Sequence, residues 1–177
     1  MFKRIESIAT GKNVILALLA MVIGGALLFN LGPYAEVVAL NPGNTLSEET
    51  FAPGDGLAAF LDGLGSEGRR VYLFHLLADF LNPLLMGSFF ALLLTWTGKL
   101  SRLPVYPLVL LLPMLVVLAE IVENVFLMIA TLNFPGAAPG IALLTAATFL
   151  KFISLGLCAL VSALLALTAL LRKIVRR

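Results

Sequence analysis

The chain has 177 residues, of which 60% are hydrophobic and only 12% charged, with a mean hydropathy of +1.05; this excludes a water-soluble domain and leaves an integral membrane protein. The formal charge of +2 averages over two oppositely charged sides, so it identifies no partner, and no nucleic-acid partner is expected. The lone Cys158 excludes an intrachain disulfide and a cysteine-cluster metal site.

In chain order, Lys3, Arg4 and Lys12 precede the first apolar stretch, about Asn13 to Leu31. No small-x-small cleavage site closely follows it, so it reads as a retained span and not a signal peptide. Gly24 and Gly25 suit close helix packing, and this span offers no other residue to a site.

An acidic loop, 32–70, follows with Glu36, Glu48, Glu49, Asp55, Asp62 and Glu67. Asn41-Pro42-Gly43-Asn44 and Pro53-Gly54-Asp55-Gly56 read as turns. Leu57, Phe60, Leu61 and Leu64 then recur at helical spacing, with Asp55 placed to cap them. The spacing predicts a short amphipathic helix that rests in the membrane interface or lids the bundle. Arg69 and Arg70 stand at the membrane edge, where they can snorkel to head groups.

The second span runs from about Val71 to Thr97. Its Tyr72, His75, Asp79, Asn82 and Met86 follow a 3-4-3-4 spacing and form one stripe, polar in its first half. Lys99 and Arg102 occupy the turn before the third span, about Val105 to Leu132. There Glu120, Glu123, Asn124 and Leu127 share a face, while Pro83 and Pro113 could break spans two and three. The turn Asn133-Phe134-Pro135-Gly136 leads into the fourth span, about Ile141 to Leu171, where Thr148, Lys151, Ser154 or Leu155, Cys158 and Ser162 make a third stripe. Arg172, Lys173, Arg176 and Arg177 end the chain.

Each stretch is long enough to cross ~30 Å of hydrocarbon at about 1.5 Å per helical residue. Strands do not fit: period-2 alternation is absent and the runs exceed the roughly 9 to 11 residues of a barrel strand. The expected fold is therefore all-α, a four-transmembrane-helix bundle forming one membrane domain over 1–177. Nine of the twelve basic residues flank the spans on one side. That bias predicts a multi-pass protein of the cell (inner) membrane with both termini cytoplasmic.

Charge within a span costs roughly 2.5 to 3.5 kcal/mol per residue at the bilayer centre, so His75, Asp79, Glu120, Glu123 and Lys151 need partners or a purpose. Depth brings them together. Counting about 1.5 Å per residue, Asp79 lies roughly 13 Å below Arg70, Glu123 and Glu120 roughly 12 to 17 Å below Thr131, and Lys151 roughly 15 Å below Ile141. Three acids then face one certain base. The remainder is settled by a proton, a cation or a ligand.

Several chemistries fit. An acid/base, proton-transfer site acting on a lipidic substrate would use Asp79, Glu120, Glu123 and His75 catalytically. Lys151, Asn82, Asn124 and Tyr72 would then bind the ligand, and the same residues would suit ligand binding without catalysis. A metal site could draw on His75 with Asp79 and Glu120 with Glu123, but no helical metal motif is present, and no metal or cofactor is expected. A proton-coupled transporter would need the protein to dimerise for a full path, so a homo-oligomer stays open. A purely structural cluster would pin the helices in register. Membrane lipids and a hydrophobic small molecule are the expected partners.

At Gly68-Arg69-Arg70-Val71-Tyr72, His75-x3-Asp79, Glu120-x2-Glu123-Asn124 and Lys151 the chain resembles a group of small, largely uncharacterised bacterial four-span membrane proteins. The resemblance would cover most of the chain and carries no activity. In layout it is more loosely similar to the EXPERA family of emopamil-binding sterol isomerases and related lipid-binding proteins. That likeness implies that His75, Asp79 and Glu120 or Glu123 shuttle a proton or line a sterol-like ligand pocket.

Overall fold

The computed structural model describes residues 2–41, 54, 56–103 and 107–175, and among them every regular element is helical. The elements are α1 (Phe2–Ile8), α2 (Gly11–Ala26), α3 (Pro33–Leu40), α4 (Leu57–Gly63), α5 (Gly65–Asp79), α6 (Leu81–Ser101), α7 (Pro107–Asn133) and α8 (Ile141–Val175), with a π-helical turn over Leu27–Leu31. Four stretches are long and apolar enough to cross a membrane: Gly11–Leu40, Gly65–Ser101, Leu108–Asn133 and Ile141–Val175. The chain is thus an all-α, multi-pass membrane bundle. The two loop turns and the Asp55 cap fall largely outside the described residues.

Local chemistry sets the element ends. The Thr10 hydroxyl accepts from the Asn13 N–H at 3.3 Å and caps α2. Lys99 Nζ donates to the carbonyls of Glu6 at 3.0 Å and Ala9 at 2.9 Å, taking up orphan acceptors where α1 ends. At the same end of the bundle, a guanidinium N–H of Arg172 donates to the Ser101 carbonyl, tying α8 to the end of α6. Between α7 and α8, Gly140 adopts φ +75° with its α-carbon hard against Phe126; a Cβ would stand 2.2 Å from that ring.

Span two is two helices, not one. Pro83 has no N–H, so the Asp79 carbonyl four residues earlier loses its helical donor, and the chain breaks at Phe80 between α5 and α6. Pro113 has no such effect: α7 runs through it.

Helices α6, α7 and α8 pack on one another, and α2 lies chiefly on α6. A Cβ on Gly24 would come within 2.5 Å of Leu85, which is the close α2–α6 packing that small residues permit. Gly25, by contrast, meets only Phe29 of its own span, at 3.9 Å. Val14 is the one buried residue assigned to α2, and Leu16, Leu19, Val22 and Ile23 are exposed. In lipid such a surface costs nothing.

The loop before α5 contributes structure in two places. Pro33–Leu40 continues the first span as α3, and α4 is packed into the bundle rather than resting in the interface. Leu57, Phe60, Leu61 and Leu64 are all buried in one apolar cluster with Tyr72, Leu76, Leu127 and Leu144. Arg69 does not simply snorkel. Its Nη1 donates to the Leu61 carbonyl at 2.8 Å and its guanidinium lies 4.7 Å from the Phe134 ring centroid, fastening α4 to α5 and to the α7–α8 turn. The Asn41 amide adds a bond to the Phe60 carbonyl at 3.4 Å. A second apolar cluster, Leu94, Leu110, Val116 and Cys158, fills the other half of the bundle.

Candidate functional site

A cavity of about 460 Å³ lies between the first span and helices α5 to α8. Its floor is His75, Asp79, Glu120, Glu123 and Lys151, all buried, so the five residues singled out by burial cost do converge. Its rim is Phe29, Tyr34, Met86, Phe152 and Leu155, all partly exposed. The volume falls in the usual range for small-molecule sites, about 300–1,000 Å³.

The backbone explains the convergence. The break at Phe80 leaves Asp79 as the last residue of α5, while α7 and α8 run unbroken through Glu120, Glu123 and Lys151. Glu120 and Glu123 are three apart and so lie on one face. Thr148 and Lys151 repeat that spacing on α8.

Each acid is held differently. Glu123, fully buried, forms an ion pair with Lys151 through Oε2 and accepts from the Thr148 hydroxyl at 2.5 Å through Oε1. Asp79 Oδ2 accepts from Asn124 Nδ2 at 3.0 Å. Glu120 Oε1 accepts a longer bond from Asn82 Nδ2 at 3.3 Å, and its Oε2 is buried with no hydrogen-bond partner among the described residues. A buried acceptor of that kind is an open demand for a donor. Lys151 Nζ also lies 5.0 Å from the Phe152 ring centroid, within reach of a cation–π contact.

His75 sits in an aromatic box. Its ring is 5.2 Å from Tyr34 edge-on, 6.1 Å from Tyr72 in a near-stacked arrangement and 6.3 Å from Phe29, centroid to centroid. Phe60 of α4 meets Tyr72 edge-on at 5.1 Å, so α4 backs the box from outside.

Three residues expected to bind ligand stand one step back. Tyr72 is fully buried behind His75, and Asn82 and Asn124 hold Glu120 and Asp79 without lining the cavity. Conversely, the first span supplies Phe29 and Tyr34, against the expectation that it offers only glycines. Thr148 lies on the stripe its spacing predicts, and its bond to Glu123 gives it a part in the site. Among the described residues no three histidine, cysteine or carboxylate side chains are arranged to hold a metal ion.

No family model, curated protein or solved structure matches the chain.

Proposed function

We propose that the protein binds a lipidic or hydrophobic small molecule in this cavity and that the acids of the floor carry out proton transfer on it. The observation that carries the reading is the division of the cavity into a buried ionisable floor and a half-exposed aromatic and aliphatic rim. A molecule with an apolar body and one polar group matches that division. Entry from the bilayer is supported by the packing: α2 leans on α6 and the π-helical turn on α5, and the partly exposed Phe29 of the first span lines the cavity together with Phe152 and Leu155 of α8.

Within this reading Glu123 is the fixed member, held by Lys151 and Thr148, and Glu120 is the group with spare acceptor capacity. His75 and Asp79, four residues apart on α5, complete a short path for a proton. On the looser layout resemblance to EXPERA proteins, His75, Asp79 and Glu120 or Glu123 would be the residues that shuttle the proton. The positive-inside bias supports an inner-membrane protein with both termini in the cytoplasm, which a reporter fused at either terminus would test.

Native mass spectrometry of the purified protein tests the binding. A lipid-sized adduct is expected on the wild type and is expected to be lost in folded Asp79→Asn and Glu120→Gln proteins. An adduct retained by both variants, or none on the wild type, defeats the reading.

A second reading is favoured by the bonds Asn82–Glu120, Asn124–Asp79 and Lys151–Glu123, which join α6 to α7, α5 to α7 and α7 to α8. Here the cluster fixes helix register and has no ligand. Its mark would be loss of folding in every acid variant, with no adduct on the wild type.

A further inference from the structure

We infer that the polar group received by the floor is a cationic hydrogen-bond donor, an alkylammonium, carried on a molecule whose chain stays at the apolar rim. This rests on the reading of the cavity as a lipid site and narrows it to one class of ligand.

The floor brings Asp79, Glu120 and Glu123 against Lys151 and His75, so acids outnumber the permanent cation three to one. Lys151 is placed on Glu123, the acid that also takes the Thr148 hydroxyl. Glu120 receives a single long bond from Asn82, and its second oxygen is buried with no hydrogen-bond donor among the described residues. An anionic ligand would meet three carboxyls. A neutral acceptor, such as an ester or ketone, would leave the Glu120 oxygen as it is. A hydroxyl would supply the donor but no charge, whereas an ammonium supplies both, and the apolar surroundings strengthen that bond.

Cavity size bears on the rest of the molecule. About 460 Å³ houses a head and a few methylenes but not a whole membrane lipid. The remainder must pass between Phe29, Met86, Phe152 and Leu155, whose partly exposed side chains offer an apolar exit. The donor chemistry has two sources in a membrane, a free long-chain amine or the primary amine of a phosphatidylethanolamine head group.

The test compares probes of one chain length on the full-length protein in phosphatidylcholine nanodiscs, read as one-to-one adducts by native mass spectrometry. Dodecylammonium is expected to bind about tenfold or more tightly than dodecanol, as a charge-assisted bond would give. Dodecyltrimethylammonium, which has charge but no N–H, is expected to fall between them. Glu120→Gln, which keeps an acceptor and removes the charge, should lower dodecylammonium binding until it is no tighter than that of dodecanol. Phosphatidylethanolamine added to the nanodiscs displaces dodecylammonium if the head group is the source and leaves it bound if the free amine is.

Equal binding of amine and alcohol to the wild type overturns the cationic assignment while leaving a lipid site in place. Binding of neither overturns the lipid site itself. Because the first comparison uses the unaltered protein, a Glu120→Gln chain that failed to fold would not shield the assignment.

Discussion

The same three helices build two different interiors. Towards the α1 end, α6, α7 and α8 close on Leu94, Leu110, Val116 and Cys158, with Thr95 and Thr97 returning their hydroxyls to the carbonyls of Ala91 at 2.8 Å and Leu93 at 2.7 Å. Towards the α4 end they spread around a cavity floored with ionisable groups. In the first region the Thr95 and Thr97 hydroxyls are satisfied within their own helix. In the second, polar groups are satisfied across helices or, at Glu120, only in part. The contrast separates the part of the bundle that holds the fold from the part free to meet something else.

The sharpest way to break that division is Lys151→Met. Removing the cation leaves Glu123 buried without its ion-pair partner, and a cost of about 3–5 kcal/mol is expected in thermal or denaturant unfolding of the detergent-solubilised protein. The double variant Lys151→Met/Glu123→Gln should recover much of that loss. If the single variant were as stable as the wild type, the pair would not be holding α7 to α8.

Leu94→Ala probes the other interior. Leu94 is fully buried, so the cavity created should cost about 2–5 kcal/mol in the same unfolding measurement. Binding of an amphiphile at the α4 end should be unchanged in the protein that remains folded. A matching drop in affinity would mean that the two halves are coupled.

Asn124→Leu removes one donor to Asp79. A loss of about 1–3 kcal/mol is expected, together with weaker ligand binding, since the Asp79 carboxyl is no longer held. The smallest effect belongs to Ser162→Ala. Its hydroxyl oxygen is buried with no hydrogen-bond partner among the described residues, so the change should fall within about 0.5 kcal/mol or slightly stabilise. A loss above 1 kcal/mol, an about fivefold shift in the folding equilibrium, would point to a partner at that position.

Much of the cavity floor is legible from spacing alone. His75 and Asp79 at i, i+4, Glu120 and Glu123 at i, i+3, and Lys151 at matching depth require only a helical period and a rise per residue. Burial cost marks the same residues from composition, because ionisable groups stand out against 60% hydrophobic sequence. The rim is another matter. Phe29 and Tyr34 lie on either side of a π-helical turn's end, where a 3.6-residue period no longer reports which way a side chain faces. Tyr72 lies on the stripe its spacing predicts, but periodicity does not say how deep in that stripe a ligand would reach; the residue stands behind His75. Arg69 escapes because its partners are a backbone carbonyl and a ring on two separate elements. Neither leaves a pattern in the chain near position 69.

The π-helical turn at Leu27–Leu31 works as a phase shifter. The widened helix and the extended Gly32 that follows it together re-aim the rest of the span, and it is in the re-aimed segment that Tyr34 meets Phe29 at 5.0 Å and His75 at 5.2 Å. Deleting one residue within the turn would shift by about 100° the point at which the chain leaves the helix into the extended Gly32, and so re-aim the α3 segment beyond it. Tyr34 would swing away from the histidine while the apolar character of the span stayed the same. An insertion or deletion in most of this membrane segment is a change of length; at these five residues it is a change of which side chains look into the protein.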